Sequence, residues 1–143
     1  HLGIHSWEAA SLAAGAGIEA VRRLDAGEAS AAFCAVRPPG HHALSARAMG
    51  FCLLNNVAVA AAHLADRGER VVIVDYDAHH GNGTQDIFWS DPRVFYVSLH
   101  EWPLYPGTGR LADLGAGQGH RSTMNFPMPA GATSNFQLNS GAL

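Results

Sequence analysis

The sequence predicts an α/β protein built on a parallel sheet, and three observations carry that prediction. Apolar runs of strand length alternate with segments of helical spacing. The run Val71 to Val74 is continuously apolar, as in a strand covered on both faces. Each predicted strand also ends in a polar loop: Arg37 to His42, Asp75 to Asn82, and His100 to Gly109. In open parallel sheets, ligand sites gather outside the carboxyl ends of the strands, so three such ends on one rim predict a site.

The elements follow in order. "SWEAASLAAGAGIEAVRRLDAG" reads as a first helix, with Ser6 as N-cap, Glu8 at the positive end, Arg22-Arg23 at the negative end and Gly27 as the stop. Ala31 to Val36 reads as a short apolar strand, which Pro38-Pro39 ends because consecutive prolines cannot donate to a ladder. "NNVAVAAAHLADRG" reads as a second helix, capped by Asn55 or Asn56 and closed by Gly68, with Val57, Ala60, Ala61 and Leu64 on one face. A strand at Arg70 to Val74, a short helix in "NGTQDIFWSD" and a strand in "RVFYVSLHE" come next. From Gly107 the glycine-rich texture predicts ordered loop, with one further short strand in "STMNFPMPAG". "GAGQG" lacks the strand-loop-helix context of a dinucleotide fingerprint.

Bulk properties narrow the function classes. One domain over residues 1–143 is expected, with 48% hydrophobic and 15% charged residues, a balance that supports a dense core. A net charge of -3 without a Lys/Arg cluster argues against direct nucleic-acid binding. No apolar run is long enough to cross a bilayer, so no membrane partner is expected. Cys34 and Cys52 form no CxxC pair, and a reducing cytoplasm is the expected location.

The chemistry concentrates in "VVIVDYDAHHGNG". Asp75, Asp77 and His79 are spaced i, i+2, i+4, which in extended chain puts them on one side. Carboxylate oxygen with imidazole nitrogen is a good ligand set for zinc. The bland alternative is that Asp75 caps a helix and the histidines satisfy buried backbone groups; the density of ionisable groups behind a hydrophobic strand weighs against it. The tandem His41-His42, held by "RPPG", supplies imidazoles able to act as general base and general acid.

"RPPGHHA", "GFCLLNN", "VDYDAHHGNGTQDIF" and "YPGTG", in this order and spacing, resemble the zinc-dependent histone deacetylase and acetylpolyamine amidohydrolase family, most closely its class II-like and bacterial members. The likeness is strongest over residues 31–109. It implies the three-layer, arginase-like parallel-sheet fold and a Zn2+ cofactor. It further implies that Asp77 and His79 are metal ligands, that Asp75 hydrogen-bonds His41, and that His42 is the proton shuttle. Asn82 stands where some members carry aspartate, and it implies a His42 oriented by an amide rather than paired with a charge. Gly50, Phe51 and Tyr105 match positions lining the acyl-lysine tunnel, although Phe51 also reads as simple core. Tyr105 stands where many relatives have phenylalanine. Asp75, Asp77, His79, Ser98 and Leu99 match residues around a structural monovalent cation, K+ in relatives. Cys52 resembles a buried cysteine that packs rather than reacts. His1, His5, His63 and His100 read as structural or surface residues.

The resemblance also implies a third ligand, an aspartate, and a carbonyl-polarising tyrosine, and neither motif occurs before Leu143. The expected function is zinc-dependent hydrolysis of acetyl-lysine, acetylated polyamine or another small amide, with the isolated chain inactive and self-association as a further expectation. The alternatives are a non-catalytic, partner-dependent metal-binding remnant and a binuclear arginase-type hydrolase. The latter needs a second aspartate where Gly81 and Asn82 stand.

Overall fold

The computed structural model describes residues 3–133. Its elements are α1 (Ser6–Asp25), α2 (Asn56–Asp66), β1 (Val71–Asp75), α3 (Asn82–Ile87), β2 (Val94–Glu101), a single 3-10 turn (Gly117–Gly119) and β3 (Thr123–Met128). The strands form one parallel sheet in the order β1-β2-β3, with Val71 opposite Val94 and Tyr96 opposite Thr123. This is the predicted fold class. His1 lies outside the described residues, as do 134–143.

Local signals fix the helices. Asn55 caps α2, its side chain accepting a hydrogen bond from the Ala58 amide at 3.1 Å. Gly27 follows α1 at φ 70, the left-handed conformation that ends helices. Ser6 is the first helical residue rather than the cap; His5 holds the cap position without a side-chain bond, and the Ser6 hydroxyl accepts from the Gly3 amide at 2.9 Å.

One core joins α2, α3 and the sheet: Ala58, Ala61 and Ala65 pack on Ile73, Phe88, Val94 and Tyr96. Of the face expected from Val57, Ala60, Ala61 and Leu64, only Ala61 is in this core, and the buried stripe is shifted toward Ala58 and Ala65. Small alanines let the helix lie close to the sheet, and Val57 is left 40% exposed. α1 packs in turn on α2, so tightly that a Cβ on Gly17 would sit 2.9 Å from Ala60 Cβ.

Two strand expectations need correction. Residues 31–36 form no strand and pair with none among the described residues, and Phe33 is 93% exposed. β1 is covered on one face only, because Ile73 meets the core while Val72 and Val74 point away and are 65% and 55% exposed. Both departures have one physical reason. Apolar periodicity reports which side chains can be buried, while burial itself requires a neighbour, and no described element covers those surfaces.

Candidate active site

The carboxyl ends of β1 and β2 meet the loop carrying His41 and His42. β1 fixes Asp75, whose register partner across the ladder is Ser98. Asp75 Oδ2 accepts from His41 Nδ1 at 2.9 Å and from the Tyr96 hydroxyl at 3.2 Å, and its Oδ1 accepts from the Asp77 amide at 3.2 Å. Burial alone would raise the Asp75 pKa, but the His41 imidazole and the other donors outweigh it, holding the carboxyl below its ordinary range. Burial would likewise depress His41; the Asp75 carboxylate, with Asp77 nearby, reverses this and leaves its pKa raised. Burial pushes the Tyr96 phenol up, aided by the Asp75 charge, so it remains a donor.

His42 sits in a different environment. Its Nδ1 donates to Asn82 Oδ1 at 2.8 Å, and the Asn82 amide nitrogen in turn contacts Met49 Sδ at 3.3 Å, which fixes which way the amide faces. Burial lowers the His42 pKa; the Asn82 bond opposes this only in part, and the nearby His41 and His79 add to the depression. The two rings stand 4.1 Å apart, centroid to centroid. One imidazole is thus biased toward the cation and its neighbour toward the neutral base. Gly50 permits this packing, because at φ 57 a Cβ there would fall 2.3 Å from His42 Cδ2.

A cleft of about 560 Å³ opens over these groups, lined by Pro39, His41, His42, Gly50, Phe51, Asp77, His79 and Tyr105. Tyr105 stands edge-on to His42 and His79, at 5.1 Å and 6.2 Å. Phe51 is 93% exposed with φ 62, so it belongs to the rim of the cleft and not to the core. Cys52 is 1% exposed and burial raises its thiol pKa, which leaves it packed and protonated.

Asp77 and His79 lie together on the cleft floor, with Asp77 Oδ1 accepting from the His79 amide at 2.8 Å and lying 3.2 Å from His79 Nδ1. An oxygen and a nitrogen donor suit zinc, but a catalytic zinc takes three protein ligands. No group of three or more His, Cys, Asp or Glu is gathered for a metal among the described residues. The described chain therefore fits zinc in donor type, with two such donors side by side where a catalytic zinc needs three. Around the expected monovalent-cation position, Ser98 is fully buried beside Asp75, with its hydroxyl on His100 Nδ1 at 2.9 Å, while Leu99 alternates to the other face of β2.

Beneath the cleft lies a polar cluster that sequence reasoning did not single out. His80 Nδ1 is 2.8 Å from the Thr108 hydroxyl and its Nε2 is 3.1 Å from Gln85 Oε1. Asn125 donates to the same Gln85 oxygen at 2.7 Å. Burial, reinforced by His100, lowers the His80 pKa to about 4. The available signal was the alternation of "VFYVSLHE", which places Tyr96, Ser98 and His100 on one face. All three are buried.

A parallel sheet whose carboxyl rim presents two differently biased imidazoles above an Asp-x-His pair defines an α/β protein with a candidate site at its strand ends. The chain belongs to the histone deacetylase domain family, whose model matches residues 2–140. It is 48% identical over 126 residues to a probable deacetylase of Archaeoglobus fulgidus, covering 87% of this chain and 35% of that protein. Its identity to the chloroplastic histone deacetylase 14 of Arabidopsis thaliana is 45% over 129 residues, covering 85% and 30%. Among solved structures, it superposes on an acetylpolyamine aminohydrolase from Burkholderia pseudomallei with a TM-score of 0.83 at 45% identity, covering 89% of this chain and 38% of that one. The chain thus spans about a third of the length of these relatives, and the arginase-like fold of the deacetylases is its fold.

Proposed function

We propose that this chain carries the histidine-dyad portion of a zinc-dependent deacetylase site acting on acetyl-lysine, an acetylated polyamine or a similar small amide. The observation that carries this reading is the contrast between the dyad's partners, a carboxylate on His41 and a neutral amide on His42. Asp77 and His79 would hold the zinc with a ligand from outside the described residues. Zinc, when bound, supplies Lewis-acid polarisation of the amide carbonyl and lowers the pKa of a bound water to about 7. His42, donating through Nδ1, presents its Nε2 lone pair as the general base. His41, kept toward its cationic form by Asp75, supplies positive charge beside the developing oxyanion. Phe51 and Tyr105 orient the acyl-bearing stem between them, and the same reading assigns a structural K+ to the Asp75, Asp77, His79, Ser98 and Leu99 neighbourhood.

The test compares the intact protein with the chain 1–143 on Nε-acetyl-lysine peptide and on N-acetylated polyamine, with and without a chelator, alongside zinc content by mass spectrometry. Chelator-sensitive turnover by the intact protein, with none by 1–143 alone, is the expected result. An intact protein that binds zinc stoichiometrically and hydrolyses neither substrate would overturn the reading. Turnover by 1–143 would show that two ligands suffice.

A further inference from the structure

The geometry points to His80 as a positioning residue that sets where Tyr105 stands over the cleft, and hence how wide the cleft is between Tyr105 and Phe51. The chain of contacts begins at Asn125, whose own Oδ1 is buried without a partner among the described residues. Asn125 Nδ2 faces both Gln85 Oε1 at 2.7 Å and the Asp113 carbonyl at 3.5 Å. A main-chain carbonyl only accepts, so the Asn125 amide must donate here, and Gln85 must present its oxygen. His80 Nε2, 3.1 Å from that oxygen, is therefore the protonated nitrogen. Nδ1 is left as an acceptor, and the Thr108 hydroxyl at 2.8 Å fills it.

His100 obeys the same logic. Its Nε2 donates to the Gly109 carbonyl at 2.9 Å, and its Nδ1 accepts from the Ser98 hydroxyl at 2.9 Å. The two rings lie 4.8 Å apart and are each 1% exposed. Thr108 and Gly109 are thus both tied to buried imidazoles. Gly109 has φ 89, and a Cβ there would lie 2.5 Å from His80 Cδ2 and 2.7 Å from His100 Cε1, so only glycine lets the loop close onto the rings.

Tyr105 belongs to the same short unit. The Gly107 amide donates to the Leu104 carbonyl at 2.8 Å, closing a turn around Tyr105 and Pro106. The incoming end is held by the Glu101 amide on Ala78 and the Trp102 amide on Met128, at 2.9 Å and 2.7 Å. The outgoing end is held by Thr108 and Gly109. Releasing the Thr108 bond frees one end of the turn and lets the Tyr105 ring leave its place against His42 and His79. The inference rests on the deacetylase reading for its effect on turnover, but not for its effect on the loop.

The experiment uses the intact protein with Thr108→Val, which removes the hydroxyl and keeps the shape, and Thr108→Ser, which keeps the hydroxyl. Thr108→Val is expected to raise KM for the acetyl-lysine peptide by roughly threefold to tenfold, the size of one lost, partly buried hydrogen bond, with kcat little changed. It also speeds hydrogen exchange across residues 104–109, and Thr108→Ser restores both. Independently of any variant, 15N shifts of the wild-type His80 ring should report a protonated Nε2 and a bare Nδ1. Unchanged exchange in Thr108→Val, or a His80 ring protonated on Nδ1, would overturn the proposal even if the enzyme is active. An inactive wild type with faster loop exchange in Thr108→Val would instead sink the deacetylase reading and leave the positioning role standing.

Discussion

Asn82 shows how one side chain sets the working pH of the site. It orients His42 by accepting from Nδ1, yet it brings no charge, and burial therefore prevails and lowers the His42 pKa. In the proposed role His42 must be neutral to take a proton, so activity is lost as pH falls through its pKa. Asn82→Asp adds an anion at the same contact and favours the cation. The acidic limb of the kcat/KM profile should accordingly move to higher pH, and a limb that stays put would count against His42 as the base. Gly50 makes the complementary steric point. Gly50→Ala places a left-handed alanine against the His42 ring, costing about 1–2 kcal/mol for the backbone and about 1–3 kcal/mol for overpacking. Urea denaturation should show a loss of about 2–5 kcal/mol, with activity falling further because His42 is the group displaced.

At the scale of elements, Asn55 joins parts of the fold that are distant in sequence. Its oxygen caps α2, while its amide donates to the Ala43 carbonyl and to Thr84 Oγ1, each at 3.1 Å. The helix cap, the loop just after the histidine dyad and the α3 turn therefore depend on one buried side chain. Asn55→Ala removes a cap worth about 1 kcal/mol and strands a buried carbonyl at about 1–3 kcal/mol. A loss of about 2–4 kcal/mol in denaturant titration is expected, where an ordinary exposed cap would give about 1. This cap was legible in the sequence, as were the parallel strands and the Asp75–His41 and Asn82–His42 pairings, the latter through the family resemblance. The legible features are local: a cap, a run of alternating or continuous apolar residues, a motif in register. The α2 face, the unpaired 31–36 segment and the His80 cluster were not legible, because each depends on which distant side chain arrives to complete it. His80 illustrates the difficulty: Gln85 and Thr108 lie in the quoted motifs, but their meeting with His100 on one ring joins three separate parts of the fold.

For the whole molecule, the notable surface is the sheet face opposite α2. Val72 and Val74 stand exposed there, Tyr76 is 85% exposed, and a cavity of about 620 Å³ lined by Val57, Val74, Tyr76 and Asp77 runs along the outer edge of β1. Burying a valine fully stabilises by about 1.5–3 kcal/mol, so covering these two would recover roughly half or more of that at each. An exposed strand edge beside apolar side chains is also a template for pairing with another chain. In the relatives this chain accounts for about a third of the length, which gives the bare face a second possible fate, namely cover by further polypeptide. One substitution separates the two contexts. Val72→Lys puts a charged side chain on the edge strand, where in chain 1–143 the ammonium reaches water. Thermal stability of that chain should change by less than about 0.5 kcal/mol, and in sedimentation velocity the unaltered chain should associate with rising concentration while the lysine variant should not. In an intact protein whose further layer covers β1, the same lysine is buried without a partner and should cost several kcal/mol. Equal, small effects in both contexts would mean that the face stays open to solvent and that the three-layer arrangement is not completed over β1.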